Sequence, residues 1–134
     1  MNVQPYLSFE GRCDEAIEFY KKAIGAKVDM LMRFKECPDQ SMVSPGSAEK
    51  VMHAALRAGD AQILMSDGRC TGSPKFNGIA LALSAPSDAD AEHIFSALAE
   101  GGRVNMPMAE TFFSSRFGMC SDKFGVGWMV LVAP

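Results

Sequence analysis

No apolar run in the sequence approaches the ~20 residues that a bilayer span requires. The opening "MNVQPYLSFEG" has neither a basic start nor a long apolar stretch, so neither a signal peptide nor a membrane association is expected. Cysteine is sparse. Cys13, Cys37, Cys70 and Cys120 stand far apart without a CxxC pair, which argues against a disulfide scaffold and gives no paired zinc-ligand spacing. They read as reduced thiols of a cytoplasmic protein. Clustered basic residues are missing too: the formal charge is −3, and the densest stretch, "EFYKKAIGAK", reads as a solvated helix face. No nucleic-acid partner is expected. There is no GxSxG turn for a serine nucleophile. There is also no GxGxxG loop between a strand and a helix, and 134 residues leave no room for a separate nucleotide-binding domain.

What is present is an ordinary globular balance, 48% apolar and 22% charged, at a length that suits one domain with a real core. "VQPYLSF" (3–9) reads as a strand ending at Gly11. Ala16, Ile17, Tyr20 and Ile24 then form one helical stripe, with Asp14 and Glu15 in the first turn and Gly25 as the stop. "AKVDMLMRF" (26–34) alternates like a strand. Residues 35–50 form a long polar loop, of the kind that is usually functional or mobile. "VMHAALRAG" and "AQILMS" read as two strands joined at Gly59-Asp60.

The pattern then restarts. "GIALALS" (78–84) is a strand. Ser87 with Asp90 makes a capping box for a helix whose stripe is Ala91, Ile94, Phe95 and Leu98. Gly101-Gly102 ends it, "RVNMPMAETFF" follows as a strand, and "RFGMCS" with "GWMVLVA" closes as a hairpin. A shift of 76 positions lays Asp14 on Asp90, Phe19 on Phe95, Gly25 on Gly101, Val28 on Val104 and Met30 on Met106. The fold class is therefore α+β, built as a tandem βαβββ repeat. Residues 1–134 read as one domain of two modules, about 1–67 and 77–134, each with too little core to stand alone.

This tandem repeat resembles the vicinal oxygen chelate superfamily, the glyoxalase, bleomycin-resistance and extradiol dioxygenase group. Within it the PhnB-like branch is the nearest match, through "PYLSFEGRCDEAIEFYKKAIGA", "HAALRAGDAQILMSD", "MAETFF" and "RFGMCSDKFGVGWMV". The resemblance implies a curled mixed sheet around a cavity, helices outside, and pairing into homodimers. It also implies where metal-dependent members place their four ligands, namely on Pro5, Leu64 (or Met65 after a one-residue slip), Gly78 beside Asn77, and Met129. No side chain in that set can hold a hard divalent cation, which needs oxygen or imidazole donors. No inherited metal cofactor is expected, although a divalent metal at relocated positions stays open. Some relatives carry a ubiquinone-methyltransferase label, which the missing glycine-rich loop speaks against. The branch has tryptophan where this chain has Phe113, so ligand preference does not transfer directly.

Little polar chemistry is left. His53, mid-strand in "VMHAALR", reads either as a core or edge histidine or as a base or ligand-orienting group. His93 reads as solvated. Glu110 shares a strand face by alternation with Met106, Met108 and Phe112. It is either a buried acid or base, or an edge carboxylate paired with Arg116 or Lys123. Asp67 reads as a turn former that bonds its own backbone. Eight of the ten methionines fall in expected strands; they either fill the core or line an adaptable pocket. Alternation sends Trp128 to the helix side and Met129 to the cavity. The expected partner is thus a small-molecule ligand held without metal, contacting Met65, Met106, Met108, Phe112 and Met129. The alternative is an isomerase, lyase or dioxygenase-like enzyme using His53 and Glu110 or a relocated metal.

Overall fold

The structure, a computed structural model, describes residues 1–134 apart from the side chain of Met42. It divides into two compact units, Met1–Pro74 and Lys75–Pro134. The first carries β1 (Tyr6–Ser8), α1 (Cys13–Ala23), β2 (Lys27–Arg33), β3 (Val51–Ala58) and β4 (Ala61–Ser66), with two short 3-10 turns between β2 and β3. The second carries β5 (Leu81–Ala85), α2 (Asp88–Ala99), β6 (Arg103–Ala109), β7 (Phe117–Ser121) and β8 (Gly127–Val132). The sheets run β1-β4-β3-β2 and β5-β8-β7-β6, neither of them closed. This is the tandem βαβββ arrangement that the repeated pattern implied. In each unit the first and last strands pair in parallel and the rest are antiparallel.

Helix α1 buries Cys13, Ala16, Ile17, Tyr20 and Ala23, and carries Asp14 and Glu15 in its first turn and Lys21 and Lys22 in its last, as its dipole favours. Its N-terminus is capped from outside the helix. Asp67, at the end of β4, takes the backbone N–H groups of Gly11 at 2.9 Å and Cys13 at 2.8 Å on one oxygen. Its other oxygen takes the N–H of Val51 at 2.7 Å. Asp67 is therefore no self-bonded turn residue: it ties the entry of α1 to the start of β3. Helix α2 is capped as expected, with Ser87 Oγ accepting the Asp90 N–H at 3.1 Å.

In the first unit, Leu7, Met65, Ala54 and Leu31 form one cross-strand row. Phe9 shares their face and meets Tyr20 of α1 with ring centroids 6.1 Å apart, so this row faces the helix. In the second unit Leu83, Val130 and Gly118 form the matching row. A Cβ on Gly118 would lie 2.9 Å from Phe95 of α2.

Three expected strands begin or end three or more residues short of their sequence pattern, and one of them, β5, expected over 78–84, begins only at Leu81. β1 starts only at Tyr6. β6 stops at Ala109 because the next residues fold on themselves: Thr111 N–H donates to Ser114 O at 2.9 Å, and Ser114 N–H donates to Thr111 Oγ1 at 3.1 Å. A threonine hydroxyl that bonds nearby backbone competes with the sheet ladder.

Candidate functional site

Because side chains alternate along a strand, each sheet turns a second set of residues away from its helix. In the second unit Ala82, Met129, Met119 and Met106 pair in sequence across all four strands. Three methionines thus lie side by side on the face opposite α2. Met129 and Met119 are half-buried and Met106 is exposed. Trp128 points the other way, into the core, at 3% exposure. The hairpin works as its alternation implies, with tryptophan to the helix and methionine to the opposite face.

The same register in the first unit gives Tyr6, Leu64, Ala55 and Met30. Beside this row, His53 pairs with Met32. Tyr6 and His53 sit on strands separated by β4 and meet above it. Their ring centroids are 5.6 Å apart and the Tyr6 hydroxyl is 3.3 Å from His53 Nδ1. Tyr6 is 55% exposed, and nothing in the sequence had singled it out as more than a strand former.

Other candidates fall elsewhere. Met65 is fully buried on the α1 face, and Leu64 takes the opposite one, so Met65 is a core residue. Met106, Met108, Glu110 and Phe112 do not share a face. Register shifts occur between Val104 and Met106 and again between Met106 and Ala109. They leave Met106 opposite α2 and bring Met108 Sδ to within 2.6 Å of where a Gly118 Cβ would be, on the α2 side. Glu110 lies beyond the end of β6 and is exposed. Arg116, one of its two expected partners, pairs instead with Glu92 at 3.2 Å. Phe112 is fully exposed and packs edge-on against Phe113, which in turn packs against Phe117, each pair with centroids 5.1 Å apart.

Glu10 was also missed. Its backbone has φ 52°, and its carboxylate accepts from the Ser8 hydroxyl, Arg69 N–H at 3.1 Å and Thr71 Oγ1 at 3.1 Å. The Ser8 bond, more than the opposing burial, holds this carboxyl below its ordinary range, with the Arg69 and Thr71 bonds adding to it. Glu10 is a loop fastener rather than a base.

The four positions on which the resemblance placed metal ligands, Pro5, Leu64, Gly78 and Met129, offer no oxygen or imidazole side chain here. The Pro5 carbonyl is taken by the Leu64 N–H at 3.0 Å, Gly78 has no side chain, and Leu64 is purely hydrocarbon. Met129 has only a thioether, a weak donor to hard cations. Among the described residues no group of three or more His, Cys, Asp or Glu is placed to hold a metal ion. The residues present do not fit the group.

The chain matches the family model described as 3-demethylubiquinone-9 3-methyltransferase over residues 1–131. It is 34% identical over 140 residues to Protein YjdN of Escherichia coli (strain K12), an alignment covering 98% of this chain and 95% of that protein. Protein PA1353 from Pseudomonas aeruginosa superposes with a TM-score of 0.86 at 35% identity, covering 99% of this chain and 98% of that one. A glyoxylase/bleomycin resistance protein/dioxygenase domain from Frankia sp. EAN1pec shares the fold at a TM-score of 0.64 and 16% identity, covering 99% and 95%. With the repeated βαβββ units and their register already in hand, these likenesses settle the family: the chain has the fold of glyoxalase/bleomycin resistance proteins and belongs to the family described as 3-demethylubiquinone-9 3-methyltransferase.

Proposed function

We propose that the protein binds a small apolar or amphipathic molecule, without a metal, on the sheet faces turned away from its helices. The observation that carries this reading is the row Ala82–Met129–Met119–Met106. Methionine has three rotatable bonds and a polarizable sulfur, so such a row adapts to varied ligands and favours aromatic ones. In this reading the protein acts in the cytoplasm as a homodimer. The exposed Val28 and Val104 on the edge strands β2 and β6 are surface that a second copy would cover.

The family description names a methyl transfer, and the local chemistry favours binding instead. No GxGxxG loop is present, and the N–H groups of Gly11 and Cys13 at the start of α1 are engaged by the Asp67 carboxylate. They leave little to cradle a nucleotide-like methyl donor.

Two measurements test the proposal. Elemental analysis of the purified protein should return no stoichiometric Zn, Mn, Ni or Fe; a full equivalent of any of them would overturn the metal-free reading. Titration with 1-anilinonaphthalene-8-sulfonate should give saturable binding that Met119→Asp and Met129→Asp weaken. Binding unchanged in both variants would remove the methionine row from the site.

A second reading, an isomerase or lyase, is favoured by the Tyr6–His53 contact. It puts a proton-transferring histidine beside an apolar floor. It predicts that carbonyl compounds exchange an α-proton with D2O in the presence of the wild type and not of His53→Ala, read by proton NMR.

A further inference from the structure

Most polar groups on the face of the first sheet opposite α1 are spent on one another. Gln62 accepts from Gln4 Nε2 at 2.9 Å and donates to Asp29 at 3.1 Å. Arg57 reaches Asp29 at 3.5 Å. Ser8 and Glu10 are tied together, and the Ser66 hydroxyl receives the Gly68 N–H at 2.9 Å.

Tyr6 and His53 differ. They share one contact, Tyr6 Oη to His53 Nδ1 at 3.3 Å, which engages one atom of each ring and leaves His53 Nε2 without a partner among the described residues. If the tyrosine hydroxyl donates to Nδ1, then Nε2–H is a donor and the phenolic oxygen an acceptor. If Nδ1–H donates to the phenolic oxygen, then Nε2 is an acceptor and the hydroxyl a donor. In both tautomers the pair offers outward one donor and one acceptor. The surface beside it is apolar: Leu64 and Ala55 follow Tyr6 in its row, then Met30, and Met32 pairs with His53.

We propose that Tyr6 and His53 are the polar anchor of a ligand site on the first sheet, and that the site takes a phenol-class ligand, a flat apolar ring with one neutral hydroxyl. A neutral hydroxyl is itself one donor and one acceptor, so it satisfies the pair in either tautomer. A carboxylate, which only accepts, would leave the outward acceptor unpaired. The ring would lie on Leu64, Met30 and Met32, where thioether sulfur packs well against aromatic edges. This inference rests on the apolar-binding reading and adds to it the place and the chemical class.

The test compares 2-naphthol with naphthalene by fluorescence titration at pH 7.5, in the wild type, Tyr6→Phe and His53→Leu. The wild type should bind 2-naphthol about tenfold more tightly, the effect of one to two net hydrogen bonds. In each variant that preference should shrink to less than about twofold, while naphthalene affinity holds. Tyr6→Phe keeps the ring and remains informative if His53→Leu folds poorly. Equal binding of the two probes by the wild type, or a preference that survives both variants, overturns the anchor and leaves apolar binding standing. Failure of both probes to bind the wild type overturns the binding reading and the anchor with it.

Discussion

The indole N–H of Trp128 donates to Asp122 Oδ2 at 2.9 Å, back across the turn that joins β7 to β8. The other Asp122 oxygen takes the N–H groups of Phe124 at 2.9 Å and Val126 at 3.1 Å. One buried carboxylate thus shapes the turn and holds the tryptophan on the α2 side. Its neighbour Met129 is left on the opposite face, in line with Met119 and Ala82. The consequence is a separation of effects. Trp128→Phe keeps an aromatic ring on the core side but removes volume and the N–H that a buried carboxylate accepts, which costs at least about 2 kcal/mol in urea unfolding, with dye binding unchanged. Met129→Ala should do the reverse, weakening dye binding while shifting stability by less than about 1 kcal/mol. Exchange of these two outcomes would refute the assignment of faces.

Asp67 is fully buried and accepts three backbone N–H groups, from Gly11, Cys13 and Val51. Asp67→Ala would strand all three, at about 1–3 kcal/mol for each group left unpaired in the interior. The expected loss is at least about 3 kcal/mol. Asp67→Asn should be milder, since its remaining carbonyl still accepts, yet its NH2 meets an N–H. A loss under about 1 kcal/mol for the alanine variant, measured by urea denaturation, would show that water replaces the carboxylate.

Much of this was legible in the sequence, and the misses share a cause. The stripe of α1, its glycine stop and the repetition at 76 positions are local or periodic signals, and helices and strands obey them. Faces assigned by alternation held along β8, where the ladder is regular. They failed along β6, because register shifts on either side of Met106 change the phase without leaving a mark in the residue types. The Thr111–Ser114 bonds that end β6 are likewise local competition that periodicity does not show. Asp67 sits at a turn as its residue type suggests, but its bonds reach residues 16 and more positions away. Tyr6 and His53 are 47 positions apart and meet only because strand order puts one strand between them. His53 could be singled out alone; its partner could not.

Gly102 follows α2 where the chain turns into β6. A Cβ there would lie 2.1 Å from Ser121 O and under 3 Å from two backbone atoms of Asp122. Backbone atoms of a neighbouring strand cannot move aside as a side-chain tip can. Gly102→Ala should therefore destabilise by about 3 kcal/mol, at the upper end for overpacking. Gly118→Ala meets Met108 Sδ and a Phe95 ring carbon, which are more adjustable, and should cost about 1–2 kcal/mol. Thermal or urea unfolding of the two variants gives the ranking, and the opposite order would contradict the packing described.

Two buried thiols make the protein sensitive to alkali. Burial, with Asp122 adding to it, pushes Cys120 from the ordinary 9.0 up to about 11. Burial pushes Cys13 higher still, with Asp67 and then Asp14 contributing and Arg33 opposing. The folded state therefore holds these protons more tightly than the unfolded chain. Below about pH 9 both states are protonated and the contribution is fully present. As pH rises from about 9 towards 11 the unfolded chain loses its thiol protons first, so unfolding becomes progressively easier. Tyrosine and lysine titrate in the same range, so the thiol effect is isolated by difference. Cys120→Ala should begin less stable, by about 1 kcal/mol for the lost packing, and then decline less steeply than the wild type between pH 9 and 10.5. Melting curves at half-unit steps across that range give both slopes. Parallel slopes would mean that Cys120 does not titrate differently in the two states, and that its burial has no electrostatic consequence.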